Sequence, residues 1–234
     1  MYLFVVLSNK FKMQAKKIFF ITFIIITLFS CSKESDKPQN SYTSSPHYIS
    51  VYVVPSDIKV IPANDIFYIE FNGTIYPTYK GEDYMYNDIV KSLSDLYGDT
   101  YYKRTVKPTV SSHPALAYPI DEISIYCDKN FDTEHPAGEP LNDIAKMNYK
   151  SYYNFIKNGY LPYTQNHPNE QDVDSFSFCF EDINAEMTKL ISLKYKFTSI
   201  EFASQPETPG EYTFTLEMTI NGKVYKSEFS YTFE

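Results

Sequence analysis

The C-terminal segment constrains the fold most tightly. In EYTFTLEMTI, Tyr212, Phe214, Leu216, Met218 and Ile220 alternate with Glu211, Thr213, Thr215, Glu217 and Thr219. A period of two means a strand with one face turned inward. Asn221-Gly222 follows, a dipeptide suited to a two-residue turn with positive φ at both positions. The return segment KVYKSEFSYTFE sets Tyr225, Phe229, Tyr231 and Phe233 on one face. Further strands are expected at 48–54, 66–71, 122–127, 175–180 and 193–202. About seven short strands ending in such a hairpin argue for a sandwich of two sheets.

The composition agrees. The chain holds 23 Tyr and 18 Phe but no Trp, and aromatic residues favour pleated surfaces. Two segments read as helical. In NDIVKSLSDLYG, Ile89, Val90, Leu93, Leu96 and Tyr97 form one stripe between an Asn87 N-cap and a Gly98 C-cap. PLNDIAKMNYKSYYNFIKNG runs from Pro140 to Gly159 and fits a second helix, although its aromatics fall almost all round and a short-strand reading remains. The expected fold is mainly β, an immunoglobulin-like β-sandwich with one or two helical insertions. Pro209-Gly210-Glu211-Tyr212 resembles the approach to a tyrosine corner in such sandwiches.

The first 31 residues read as an address. Lys10, Lys12, Lys16 and Lys17 precede a largely apolar run from Ile18 to Phe29, closed by Leu28-Phe29-Ser30-Cys31. A positive start, a short apolar core and a small residue before the cut describe an export signal over residues 1–30. Met13 is an alternative start. The run is short for a membrane-spanning helix. Leu28 and Ser30 before Cys31 resemble a bacterial lipobox, which implies lipidation of Cys31. Cys31 and the polar stretch to Pro46 then form a disordered tether, residues 31–46. Residues 47–234 remain as a single β-rich domain.

Cleavage would remove four of the 21 basic residues and none of the 29 acidic ones, taking the net charge from −8 to −12. That balance argues against nucleic acid as a partner. It also disfavours direct adsorption to anionic lipid, so the membrane contact falls to the acyl chains.

The stretch Cys127–Asp143 poses a metal question. Asp128, Asn130, Asp132 and Glu139 occupy positions 1, 3, 5 and 12 of a twelve-residue window, as in an EF-hand calcium loop. Thr133 stands where the sharp turn wants Gly, Pro136 stiffens the second half, and His135 occupies a position usually apolar. Asp and Asn also cap turns through their own backbone, so no metal site is expected. His113, His135 and His167 each precede Pro. All three are expected in exposed loops, without the short-range pairing of a zinc site. Cys127 and Cys179 are exported, which permits a disulfide, but their strand faces differ.

No nucleophile elbow, HExxH or phosphate-cradling Gly loop is present. Carboxylate pairs such as Asp121–Glu122, Asp172–Asp174 and Glu181–Asp182 leave a hydrolase acting on envelope or dietary polymers as an alternative. Five tyrosines in YKSYYNFIKNGYLPY, namely Tyr149, Tyr152, Tyr153, Tyr160 and Tyr163, are the candidate binding residues. Such rings stack on sugars or pack at protein interfaces, or they fill a core beside the sandwich. Tyr101 and Tyr102 form a second, smaller candidate.

Lipobox, tether and aromatic body, together with DKNFDTEHPAGEPLND, YYNFIKNGY and PETPGEYTFTLEM, resemble an uncharacterised lipoprotein family of gut Bacteroidetes. That resemblance implies a lipid-anchored cell-envelope protein, in the outer membrane, and no particular activity. The expected function is non-enzymatic: binding a glycan or a protein partner, without a cofactor. A structural role in an outer-membrane assembly is a further alternative.

Overall fold

The computed structural model describes residues 43–78, 87–102, 104–106, 113–161, 173–194 and 196–234. Cys31, the export signal, Tyr163 and His167 lie outside the described residues. Tyr42–Glu234 forms one compact unit. Its first strand, β1 (Thr43–Ser45), pairs with β4 (Arg104–Val106). The partner strand lies some sixty residues further on, where no local pattern announces it.

The body is a β-sandwich. Its larger sheet contains β2 (Val51–Ala63), β3 (Ile66–Pro77), β5 (Pro114–Leu116), β7 (Ala145–Ser151), β8 (Asp174–Cys179) and β9 (Ser199–Phe202). Their order is β5-β2-β3-β9-β7-β8. All pairs are antiparallel except β2–β5. The smaller sheet has the order β11-β10-β6, from β6 (Ile120–Cys127), β10 (Gly210–Ile220) and β11 (Lys223–Phe233). The last hairpin forms as its sequence demands. Ile220 pairs with Lys223, and Asn221 and Gly222 take φ of 51° and 72°.

Between the sheets lies a core centred on Phe214, which is fully buried among Phe67, Phe202, Phe229 and Phe233. Burying one such ring contributes roughly 1.5–3 kcal/mol. The tyrosine corner is present too: the Tyr212 hydroxyl donates to the Thr208 carbonyl at 2.8 Å.

A β-bulge between Pro55 and Asp57 divides β2. The extra residue reverses which parity faces inward. Beyond it, Ile58 and Val60 join the sandwich core. Before it, Tyr52 and Val54 pair with Tyr76 and Thr74, on the opposite face of the sheet, and join a second apolar cluster. Gly73 stands opposite Pro55 at this point, and a Cβ there would lie 2.1 Å from the Val54 carbonyl oxygen. The close approach of the two strands therefore requires glycine.

The second cluster joins Tyr48, Tyr52, Tyr97 and Tyr152 with helices α1 (Asp88–Tyr97) and α2 (Tyr153–Lys157). Helix α1 has the expected caps: the Asn87 side chain accepts from the Ile89 amide, and Gly98 closes the C-terminus. Leu96, expected on its buried stripe, is 64% exposed. The expected helix from Pro140 to Gly159 is replaced by strand β7 and the single-turn-scale α2. In β7, Ala145, Met147, Tyr149 and Ser151 are buried while Lys146, Asn148 and Lys150 are not. Pairing on both sides, with β8 and β9, satisfies its backbone and outweighs helical propensity. Likewise, among the described residues of the expected strand 193–202, only Ser199–Phe202 forms a strand.

Candidate functional site

Pairing across four strands builds a row of side chains on the outer face of the larger sheet. Tyr68 pairs with Ser199, Ser199 with Asn148, and Asn148 with Ser177. Successive strands lie about 4.8 Å apart, so this row extends roughly 14 Å. The adjacent row, Phe67, Ile200, Met147 and Phe178, is displaced by one residue in each strand and turns to the core. Strand alternation alone thus separates a polar outer row from an apolar inner one.

The connection from Leu193 to Thr198 crosses this outer face. It is pinned at one end by the Leu193 amide on the Pro114 carbonyl (3.0 Å) and at the other by the Ile69 amide on the Thr198 carbonyl (2.9 Å). Between these points the Phe197 amide donates to the Lys194 carbonyl, and Lys196 takes a left-handed φ of 61°. Two concavities flank the crossing, of about 440 and 360 Å³, and Lys196 lines both. The first also takes Tyr68, Glu70, Asn72 and Lys194; the second takes Asn148, Lys150, Ser175, Ser177 and Phe197. The Lys196 ammonium sits 4.8 Å above the Tyr68 ring, and that of Lys150 sits 4.4 Å above Phe197. Such cation–π contacts hold flexible amines in place.

The expected tyrosines are not gathered at this face. Tyr149 and Tyr152 are buried, at 2% and 0% exposure, and of the two only Tyr149 reaches the lining of the second concavity. Tyr149 points inward and donates to the Met187 carbonyl at 2.8 Å. Its burial pushes the phenol up to about 12. Tyr152 accepts from the Ser192 hydroxyl at 2.8 Å. Tyr153 is half-buried beside the Lys157 and Lys189 amines and lines a separate concavity of about 230 Å³. Tyr160 is half-buried against Tyr102 and Phe155. Tyr101, at 60% exposure, meets Tyr160 edge-on. Most of these rings are packing for the second cluster. The outer-face row escaped detection because its residues come from four strands, one of which reads as a helix. The only local signal is polar alternation in FYIEFN and DSFSFC.

The acidic loop after β6 serves its own backbone. Asp128 Oδ1 accepts from the Thr213 amide at 2.8 Å, and Asn130 Oδ1 from the Ala137 amide at 2.9 Å. Asp132 Oδ1 accepts from the amides of Glu134 and His135. The His135 ring lies between two carboxylates, Nδ1 2.7 Å from Asp132 and Nε2 3.1 Å from Asp143. Burial pulls its pKa down, but the bonds to Asp143 and Asp132 outweigh this and raise it. Where a calcium loop would hold a metal cation, this one encloses the His135 ring. Among the described residues, no three His, Cys, Asp or Glu side chains gather at a metal-binding distance.

Of the histidines expected in exposed loops, His113 and His135 are enclosed. His113 packs 4.3 Å from the Tyr48 ring, and His135 is only 8% exposed. Cys127 and Cys179 are free thiols. Cys127 faces the core, its Sγ directed to the Lys129 carbonyl, and burial raises its pKa. Comparison with known proteins brings no match to a family model, to a curated protein or to a solved structure.

Proposed function

We propose that this is a lipid-anchored cell-envelope protein that binds a glycan on the outer face of its larger sheet. The observation that carries this reading is the row Tyr68–Ser199–Asn148–Ser177, flanked by two concavities. Ser199 is buried within the row, and the Asn148 amide and the exposed Ser177 hydroxyl, one strand apart, suit the hydroxyls of a polysaccharide. A sheet face needs little reorganisation to bind, which keeps the entropic cost of association low. Among the described residues lining these two concavities, Glu70 is the one carboxylate. Glycoside hydrolysis ordinarily uses a pair about 5–9.5 Å apart, so the lining favours binding over cleavage. Anchoring through Cys31 would tether the domain to the membrane.

The test is a glycan array probed with the detergent-solubilised full-length protein. Wild type should retain at least one polysaccharide class. Ser177→Trp, which places a bulky ring on an exposed position of the row, should abolish retention while leaving the thermal midpoint unchanged. Binding that survives this substitution would move the site elsewhere.

A further inference from the structure

We infer that strand β11, the open edge of the smaller sheet, pairs antiparallel with β11 of a second copy of this chain about a two-fold axis at Ser227. The pairing would join the two smaller sheets into one sheet of six strands, three from each copy. It is independent of the glycan-binding reading, which concerns the other sheet.

The two edges of the smaller sheet differ. The outer edge of β6 is covered by the loop that follows it: the Gly138 and Leu141 amides donate to the Cys127 and Ile125 carbonyls at 2.9 and 2.8 Å, and the Ile125 amide donates to the Asn142 side chain at 3.2 Å. The outer edge of β11 has no such cover among the described residues. Ile220 and Lys223 close the two-residue turn and form a hydrogen-bonded pair. Pairing alternates from there, so Tyr225, Ser227, Phe229 and Tyr231 direct their backbone groups to β10. Val224, Lys226, Glu228, Ser230 and Thr232 direct theirs outward, and all five are exposed. The bonds from this corner to β2 run through inward side chains. The Val60 amide donates to the Ser227 hydroxyl at 3.1 Å, and the Tyr225 hydroxyl donates to the Pro55 carbonyl at 2.8 Å. Neither uses an outward backbone group of β11.

The strand is also long and regular. It runs for 11 residues, without proline and without a register shift against β10. Edges that must stay single are commonly short, bulged or broken by proline, and β11 has none of these devices. Lysine is a further one, because two such edges repel if their lysines meet. Here the position of an acid decides whether they do.

Facing residues of an antiparallel pair share a face of the sheet, and outward backbone groups must meet outward ones. The two-fold axis therefore falls at a residue. An axis at Lys226 or at Glu228 sets like charges opposite each other. An axis at Ser227 sets Lys226 opposite Glu228 of the partner subunit, and Glu228 opposite the partner's Lys226. Lys226 already pairs with Glu217 across β10 and β11, whereas Glu228 makes no ion pair among the described residues. The row would then read Glu217, Lys226 and the partner's Glu228, with signs alternating, and the axis repeats it. Opposite charges facing across strands favour pairing and like charges oppose it. Main-chain hydrogen bonds would supply the attachment, and this charge pattern its register.

The experiment measures the mass of the detergent-solubilised full-length protein by light scattering over a dilution series, with the detergent contribution subtracted. Wild type should be a dimer that dissociates on dilution. Lys226→Glu makes acid face acid across the axis, and Glu228→Lys makes base face base. Each alone should raise the dimer dissociation constant about tenfold or more. Equal amounts of the two variants, one of them carrying an affinity tag, should recover a heterodimer, because every facing pair then joins one acid to one base. Recovery also shows that both variants fold. Glu228 faces Thr215 within its own chain, so Glu228→Lys carries the test alone if Lys226→Glu, placed beside Glu217, lowers the melting temperature. A wild-type monomer at every concentration would overturn the inference and leave this edge to a strand of a different protein. A dimer that ignores Glu228→Lys would place the interface elsewhere and overturn it too. So would two variants that melt as wild type does yet fail to associate on mixing.

Discussion

The phenol of Tyr160 donates to the carboxylate of Asp99 at 3.0 Å, across 61 positions of sequence. Asp99 is fully buried, and its other acceptances come from the Tyr48 and Ile49 amides at 2.7 and 2.9 Å. One acidic side chain thus ties the segment before β2 and the turn after α2 to the end of α1. Burial pushes the Asp99 carboxyl above its ordinary range, against the pull of these donors. Tyr160 itself takes a left-handed φ of 62°, and this bond is one of the contacts that hold it there.

This arrangement sets an order of stabilities. Tyr160→Phe removes one donor to a carboxylate that keeps two others, and should cost about 1.5–3 kcal/mol. Asp99→Ala leaves two buried amides without their acceptor, and should cost about 3 kcal/mol or more. Chemical denaturation of both variants tests the ranking; an Asp99→Ala protein as stable as wild type would contradict it.

The His135 pair with Asp132 and Asp143 predicts a pH window. The folded pKa of His135 lies above its ordinary 6.5, so its contribution is present below that value and is lost as pH rises through the folded value. Asp132 is the reverse. Burial pulls its pKa up, but bonds from His135 and the loop amides bring it below 3.8. Its contribution is present above 3.8 and fades as pH falls through the folded value. The loop should be firmest between these limits. Thermal midpoints should fall from mildly acid to alkaline pH in wild type, and His135→Gln should flatten that decline.

At the last turn, Gly222→Val should lower stability by about 1–2 kcal/mol, the cost of a left-handed conformation for a side chain with a Cβ. Nothing lies within 4 Å of a Cβ built there, so the penalty is one of backbone conformation and not of collision. Gly222→Asn, which tolerates that region, should cost clearly less. Equal melting temperatures for the two variants would argue against the turn.

Membrane attachment should depend on Cys31. Cys31→Ala should abolish metabolic labelling with a fatty-acid probe and release the protein from the membrane fraction. Labelling of the alanine variant at the wild-type level would remove the anchor from the proposal.

Calcium should leave the thermal midpoint of the protein almost unmoved, because the oxygens of Asp128, Asn130 and Asp132 already serve backbone amides and His135. A micromolar site would contribute about 4 kcal/mol at millimolar calcium, a shift of several degrees in a thermal melt. Such a rise, abolished by Asp128→Ala, would reverse this assignment.

The features legible in the sequence are those whose physics is local. Asn221-Gly222 and the alternation on either side specify a hairpin because turn geometry and strand parity are properties of neighbouring residues. Asn87 and Gly98 bound α1 for the same reason. The remaining decisions belong to partners distant in the chain. Ala145–Ser151 became a strand because β8 and β9 accept and donate on both its edges. Tyr149 and Tyr152 became core because two different apolar clusters enclose them, whereas their sequence neighbourhood is compatible with exposure. The row of Tyr68, Ser199, Asn148 and Ser177 exists only once four strands are in register. A strand's own sequence states which residues share a face; which face is covered is settled by the burial that the rest of the chain supplies.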